Sequence, residues 1–219
     1  MSLRHEPPDS PTWPVPRHSR AGSLSTRPGD AHLSVSGPVC HSAVVSSPSG
    51  FTPHSTPSLS SERLALTPLR ADDATEMVAV LSSAPLYEFI GGIAPTEDEL
   101  RQRYEAQVAG SPEPNERWHN WIVRKAGSGS AVGYVQATLT GHRADIAWVI
   151  GRAWQGMGYA TEAAGAVLAW MTGDGGVEEI EAAIHPDHRA SRRVAASLGL
   201  EPTSRIVDGE QVWRWRRPR

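Results

Sequence analysis

Between residues 119 and 150 the chain carries three apolar segments rich in β-branched and aromatic side chains: 119–124 (His-Asn-Trp-Ile-Val-Arg), 131–139 (Ala-Val-Gly-Tyr-Val-Gln-Ala-Thr-Leu) and 144–150 (Ala-Asp-Ile-Ala-Trp-Val-Ile). Their composition and spacing read as strands. Gly127-Ser128-Gly129 and Thr140-Gly141-His142 separate them. A parallel return needs a crossover of about a dozen residues or more, so these short glycine turns force antiparallel neighbours. The middle of the chain is thus a meander on which the remaining elements must pack.

Those elements change the period. Residues 158–172 place Ala160, Ala163, Ala164, Val167, Leu168 and Met171 on one helical face, and Gly173-Asp174-Gly175-Gly176 ends it. Residues 178–184 read as a strand, so the unit 144–184 is strand–helix–strand. Before the meander, 62–69 reads as a strand. Asp72 or Asp73 opens a helix to about residue 83, interrupted by Pro85, and Thr96-Glu97-Asp98-Glu99 forms a capping box for a helix to about 110. After residue 184, Asp187 is the expected cap of a helix that Gly199 terminates. A hairpin then joins 202–207 to 210–215 across Asp208-Gly209. The predicted order is β-α-α-β-β-β-α-β-α-β-β. The fold class is α/β, with a mixed, mostly antiparallel sheet flanked by helices.

Residues 1–60 differ in kind. They hold 10 of the chain's 18 prolines together with 14 serines. Such a segment buries too little apolar surface to offset its ordering entropy. It is expected to be a dispensable, disordered tail, with the domain spanning 61–219. One cysteine, Cys40, permits no intrachain disulfide and no Cys/His zinc site, which suits a reducing, cytoplasmic setting. A net charge of −3 argues against nucleic acid, and the absence of an 18-residue apolar run argues against a membrane span. Residues 61–219 carry 17 basic and 21 acidic side chains, a balance that suits a cationic partner.

The chemistry is concentrated in Trp154-Gln155-Gly156-Met157-Gly158-Tyr159-Ala160-Thr161-Glu162, between a strand and a helix. Glycines without Cβ let the backbone turn sharply, and the unpaired N–H groups of the following helix point back into that turn. The combination is an anion cradle suited to a pyrophosphate. A plain tight turn explains a lone Gly-x-Gly equally well. A Rossmann fingerprint would need a third glycine where Thr161 stands, and no P-loop lysine follows.

Four motifs in order add specificity. Gln155-Gly156-Met157-Gly158-Tyr159-Ala160 resembles the Q/R-x-x-G-x-G/A signature of GNAT acetyltransferases. Gly158 to Ala163 resembles the "GYATEA" form of the branch that acetylates ribosomal-protein N-termini. Ser61-Glu62-Arg63-Leu64 with Leu66, Pro68 and Leu69 is similar to that branch's opening. His188-Arg189-Ala190-Ser191-Arg192-Arg193-Val194 with Leu198-Gly199-Leu200 is similar to its "NxxSxRVxxxLGF" helix.

The resemblance implies a sheet splayed between the fourth and fifth strands, 144–150 and 178–184. It implies acetyl-CoA as co-substrate, without a metal. Pantetheine would pair with the backbone of Trp148, Val149 and Ile150, where a strand N–H near Trp148 or Val149 would also meet the oxyanion. Pyrophosphate would sit on Gln155, Gly156, Met157, Gly158, Tyr159 and Ala160, with His188 and Ser191 also against the cofactor. The acceptor would be an amine-bearing small molecule or a protein N-terminus, and the enzyme a monomer or homodimer. His188 stands where many relatives have Asn. Val194-Ala195-Ala196 offers no tyrosine as general acid.

For the base, Ala144-Asp145-Ile146 is similar to the "AEI" tripeptide of histone-type enzymes, with a shorter acid; a solvated strand carboxylate is the plainer reading. Alternation puts Asp145, Ala147 and Val149 on one face and Ile146, Trp148 and Ile150 on the other. Glu162 reads as a first-turn helix acid. His185, Asp187 and His188 resemble a metal trio, but a helix cap at Asp187 explains them more simply. Arg189, Arg192 and Arg193 either meet a 3′-phosphate or form a solvated face. Trp118, Trp121 and Tyr87-Glu88-Phe89 are candidates for the acceptor pocket. A CoA-binding module that has lost turnover is the competing reading.

Overall fold

The meander expected from the glycine turns forms the centre of the sheet in a computed structural model that describes residues 55–218. The strands are β1 (Leu59–Ser60), β2 (Leu64–Pro68), β3 (Glu116–Lys125), β4 (Ala131–Thr140), β5 (Arg143–Ile150), β6 (Glu179–Ile184), β7 (Glu201–Val207) and β8 (Glu210–Arg216). They lie in the order β1-β2-β3-β4-β5-β6-β8-β7. All neighbours are antiparallel except β5 and β6. The crossover between that parallel pair is α4 (Tyr159–Thr172). The other helices are α1 (Ala74–Val80), α2 (Tyr87–Ile90), α3 (Glu97–Ala109) and α5 (Arg189–Ser197). None of the helices is long and apolar enough to cross a membrane, among the described residues.

Two cores sit on opposite faces of the sheet. On one, Ala163, Ala164, Val167 and Met171 of α4 meet Leu64, Trp121, Val135, Ile146, Ile180 and Trp213. Small residues on α4 let the helix lie close to the strands. On the other, Met77, Leu81, Leu100 and Tyr104 of the α1–α3 region cover Ile122, Tyr134 and Val149. α3 begins as expected: Thr96 Oγ1 accepts from Glu99 N, and Glu99 Oε2 accepts from Thr96 N at 2.8 Å.

Three boundaries differ from expectation. α1 stops at Val80, and Pro85 begins a 3-10 turn at Ala84–Leu86 that leads into the short α2. α5 is capped by His188 rather than Asp187, whose side chain lies exposed. The domain also starts before residue 61. Leu59 and Ser60 pair with Leu66 and Ala65. Trp121, fully buried, donates its indole N–H to the Pro57 carbonyl at 2.6 Å, and Thr56 Oγ1 lies 3.2 Å from His119 Nδ1. Burying the Trp121 ring demands a partner for its N–H, and the backbone before β1 supplies it. The rest of the expected tail, residues 1–54, lies outside the described residues.

The sheet is splayed where the expected fourth and fifth strands meet, here β5 and β6 because β1 adds one. They pair only through Arg143↔Glu179, Ala144↔Ile180 and Asp145↔Glu181. β5 stays bonded to β4 out to Gly133↔Ile150, and β6 to β8 out to Ile184↔Gln211. Beyond Asp145 and Glu181 each strand follows its own half of the sheet.

Candidate active site

Peptide direction along β5 decides which backbone groups face the gap. In an antiparallel pair, successive residues turn their N–H and C=O alternately to the two sides. Gly151 N donates to Val132 O of β4 at 2.8 Å, whereas His142 O accepts from Glu178 N at 2.8 Å on the β6 side. With no register shift between β4 and β5, the even-numbered residues Ile146, Trp148 and Ile150 turn toward the gap, and Val149 turns toward β4. Gly133 agrees: a Cβ there would collide with the Val149 carbonyl, so β4 passes that oxygen with no side chain between. The backbone of Val149, expected to meet the cofactor arm, is turned toward β4 by this pairing. Trp148 and Ile150 remain, with the Ile150 carbonyl accepting from Gln155 Nε2 at 3.0 Å.

The loop after β5 begins with a 3-10 turn, Arg152–Trp154, and ends in two left-handed glycines. Gly156 has φ +78° and Gly158, the N-cap of α4, has φ +80°. Space is not the reason for glycine here. A Cβ on Gly156 would meet nothing within 4 Å, and one on Gly158 would meet only Arg63 Nη2 at 3.4 Å. Backbone hand is the reason, since a residue with a Cβ gives up about 1–2 kcal/mol in this region. Met157 keeps a negative φ between them. Alternating hand across such a loop turns successive N–H groups to one side, and the first-turn N–H groups of Tyr159, Ala160 and Thr161 have no intrahelical acceptor. Donors without a compensating acceptor at the positive end of a helix suit an anion.

Glu162 ties this loop to the start of the domain. Its Oε1 accepts from Ser61 Oγ at 2.7 Å and from Arg63 N at 2.8 Å, and its Oε2 accepts from Arg63 Nε at 2.7 Å. Burial pushes the carboxyl's pKa up, but these hydrogen bonds and the guanidinium outweigh it and hold the group below its ordinary range. Two motifs that are 99 residues apart therefore meet in one ion pair.

His188 replaces an amide with a ring nitrogen. Its Nδ1 accepts from Ser191 N at 2.9 Å, so both expected cofactor residues of this segment also build the helix start. A nitrogen that accepts carries no proton, which leaves the neutral tautomer with hydrogen on Nε2. Burial, with His185 nearby, holds the imidazole below its ordinary pKa despite the opposing effects of a hydrogen bond to its own backbone and of Glu88. The Phe89 ring stands edge-on to His188 at 4.6 Å and tilted to His185 at 5.4 Å. The α2 segment thus reaches the start of α5. Tyr87 of the same segment is buried, its hydroxyl donating to Leu81 O.

Asp145 occupies the last rung before the split. Its neighbours in the row are Thr138 on β4 and Glu181 on β6, with Trp118 beyond Thr138 on β3. Val149, two rungs further along the same side, belongs to the core beneath α1–α3, so this row lies on that face of the sheet. Glu181 is buried and already engaged, accepting from Arg214 Nε and Nη2 at 2.8 and 2.6 Å and from Arg205 Nη2. Trp121 is on the opposite face, in the α4 core, and leaves the acceptor candidates; Trp118 shares the face of Asp145 and donates to Glu116 Oε1 at 2.5 Å. Among the three α5 arginines, Arg192 donates to Pro186 O at 3.0 Å and stands over the Trp213 ring.

A sheet opened between a parallel pair, with a glycine loop and helix start at its mouth, can be compared with known proteins. The family described as "Acetyltransferase (GNAT) domain" matches residues 63–201. The chain belongs to the GNAT acetyltransferase family. It is an N-acetyltransferase by that membership. Among solved structures, a GNAT-family acetyltransferase from Bacillus anthracis aligns with a TM-score of 0.62 at 20% identity over 73% of this chain and 98% of that one. RimL, described as a ribosomal L7/L12 alpha-N-protein acetyltransferase in complex with coenzyme A, aligns with a TM-score of 0.59 at 12% identity over 71% and 95%. An aminoglycoside acetyltransferase in complex with coenzyme A aligns with a TM-score of 0.58 at 19% identity over 70% and 95%. At such identities the likeness speaks to the fold. No curated protein sequence matches the chain.

Proposed function

We propose that the chain transfers the acetyl group of acetyl-CoA to a primary amine, a protein N-terminus or a small-molecule amine, by direct attack within a ternary complex. The observation that carries this reading is the split between β5 and β6, with Trp148 and Ile150 turned into it and the Gly156–Gly158 loop at its mouth. The arm of acetyl-CoA supplies hydrogen-bonding groups that complete the open edge of β5. The pyrophosphate takes the N–H groups of residues 155–160, which fit an anion on the geometry above. RimL and the aminoglycoside enzyme, both described in complex with coenzyme A, support the donor. The activities for which these two proteins are named support the two acceptor classes.

In the transfer, the amine nitrogen forms a bond to the thioester carbonyl carbon and the carbon–sulfur bond breaks. The proton released by nitrogen passes to Asp145, directly or through water, and the sulfur leaves as thiolate to be protonated. The Trp148 N–H faces the gap and is the donor placed to meet negative charge developing on the thioester oxygen. His188, which contributes a neutral Nε2–H, takes the place of the family's Asn beside the donor.

The test is thiol release from acetyl-CoA with a panel of amines: N-terminal peptides, amino acids and aminoglycosides. Amine-dependent release of one thiol per acetylated product supports the transferase. Saturable acetyl-CoA binding with no release against the whole panel would instead favour a CoA-binding module.

A further inference from the structure

Arg63 stands beside the glycine loop with all three of its guanidinium nitrogens engaged. Its Nε and Nη2 fork onto Glu162 Oε2 at 2.7 and 2.6 Å. Its Nη1 donates to the Met157 carbonyl at 3.1 Å, and its guanidinium lies over the Tyr159 ring, 5.0 Å from the centroid. The main chain is held as well: Arg63 N donates to Glu162 Oε1, and Arg63 O accepts from Ala126 N at 2.9 Å. The guanidinium's charge is matched by the carboxylate it grips. Long-range attraction for a phosphate is thereby largely cancelled, and geometry is what remains.

Met157 lies between the two left-handed glycines, and its carbonyl shares a planar trans peptide with the Gly158 N–H. In such a plane the C=O and N–H point in opposite directions. That plane turns on ψ of Met157 and φ of Gly158, and glycine accepts either sign of φ, so the loop alone holds neither orientation strongly. The grip of Arg63 on the carbonyl selects one. We infer that Arg63 is a positioning residue for the donor's pyrophosphate: by holding the Met157 carbonyl it turns the Gly158 N–H to the ligand side of the loop. Glu162, anchored on the first turn of α4, fixes Arg63 relative to the helix whose N–H groups complete the cradle. Arginine is required for this, because a lysine ammonium cannot span the carboxylate and the carbonyl with a rigid fork. The inference rests on the reading of residues 155–160 as the pyrophosphate site.

The experiment compares dissociation constants of coenzyme A and of pantetheine, which has the arm and thiol without pyrophosphate or nucleotide. It uses the full chain, Arg63→Ala and Arg63→Lys. The ratio of the two constants is insensitive to a general loss of folded protein. We expect the wild-type preference for coenzyme A to fall about 10-fold in Arg63→Ala, with pantetheine binding little changed, and lysine to restore less than half of the lost preference. A preference kept within about twofold in Arg63→Ala would overturn the inference, and so would full restoration by lysine, which would make charge sufficient. A wild-type chain that binds both ligands equally would remove the pyrophosphate site itself, and the role of Arg63 with it. Should Arg63→Ala fail to fold, Glu162→Gln removes the charged anchor of the guanidinium at constant size and carries the same expected loss of preference.

Discussion

Asp145 occupies a narrow place: it is the last residue of β5 paired with β6, and its sequence neighbours Ala144 and Ile146 both point to the other face of the sheet. Its neighbour Glu181 is committed to Arg205 and Arg214. In the proposed transfer the amine's proton goes to Asp145 on the strength of the Ala144-Asp145-Ile146 resemblance and its place at the split. Asp145→Asn keeps size and removes the base. The expected outcome is a fall in kcat/KM of about 10²–10⁴ with acetyl-CoA affinity unchanged, read from initial rates and equilibrium binding. A loss below about 5-fold would make Asp145 a spectator and leave water to take the proton. The strand that carries Asp145 and the alternation along it were legible in the sequence. What no pattern showed was that pairing with β6 stops at this residue, because register between parallel strands is set by packing across the whole sheet. Glycine's purpose at 158 was likewise hidden. Its positive φ is visible in the backbone alone, and a side chain there would strain the loop before reaching any ligand.

At the scale of elements, long periodic segments were legible and short ones were not. The meander, α3 with its capping box, and the α4 crossover all follow from hydrophobic period and turn residues. β1 has two residues inside a Pro/Ser-rich composition, so no period can announce it. Its importance comes from Trp121 on β3. A chain beginning at Ser55 is expected to keep the full melting temperature, whereas one beginning at Ser61 loses the Pro57 carbonyl and the β1–β2 pairing. An orphaned buried donor costs about 1–3 kcal/mol, which lowers Tm by several degrees in a domain of this size. Equal melting of the two truncated chains by calorimetry would show that water satisfies the indole instead.

The start of α5 carries a second element-scale prediction. Asp187 looked like the cap because aspartate is among the favoured cap residues, yet His188 Nδ1 takes the Ser191 N–H. Only the neutral ring can accept, and burial holds its folded pKa below the ordinary value of about 6.5. As pH falls through that value the unfolded chain binds a proton that the folded cap refuses. Stability is thus full above the unfolded pKa and declines with falling pH until the folded pKa is passed. Thermal melts from pH 7.5 to 5 should show a steeper acid decline for the wild type than for His188→Asn, which caps without titrating. Parallel curves would place the titration elsewhere among the nine histidines of the chain.

For the whole molecule, the split divides the sheet into one half built on β2 to β5 and another on β6, β8 and β7, joined along three residue pairs. Each half has helices to hold it, yet the facing edges of β5 and β6 lack mutual hydrogen bonds beyond Asp145 and Glu181. A donor whose arm lies in the gap would bond to the β5 edge and bridge the halves, so binding and sheet completion become one event. Ligand at 100 times its Kd should then stabilise the fold by about 2.7 kcal/mol. Amide hydrogen exchange reads the effect residue by residue. Trp148 and Ile150 turn their N–H groups into the gap, whereas the Val149 N–H faces β4 and is protected with or without ligand. Saturating acetyl-CoA should therefore slow exchange at Trp148 and Ile150 and leave Val149 nearly unchanged. The first-turn amides of α4 should slow with them if the pyrophosphate sits there. Protection that rose equally at all three β5 residues would mean general tightening of the fold, and protection confined to α4 would place the arm outside the gap. An alternating pattern along β5 is the outcome that only an edge-bound ligand produces, because peptide direction alone distinguishes Val149 from its two neighbours.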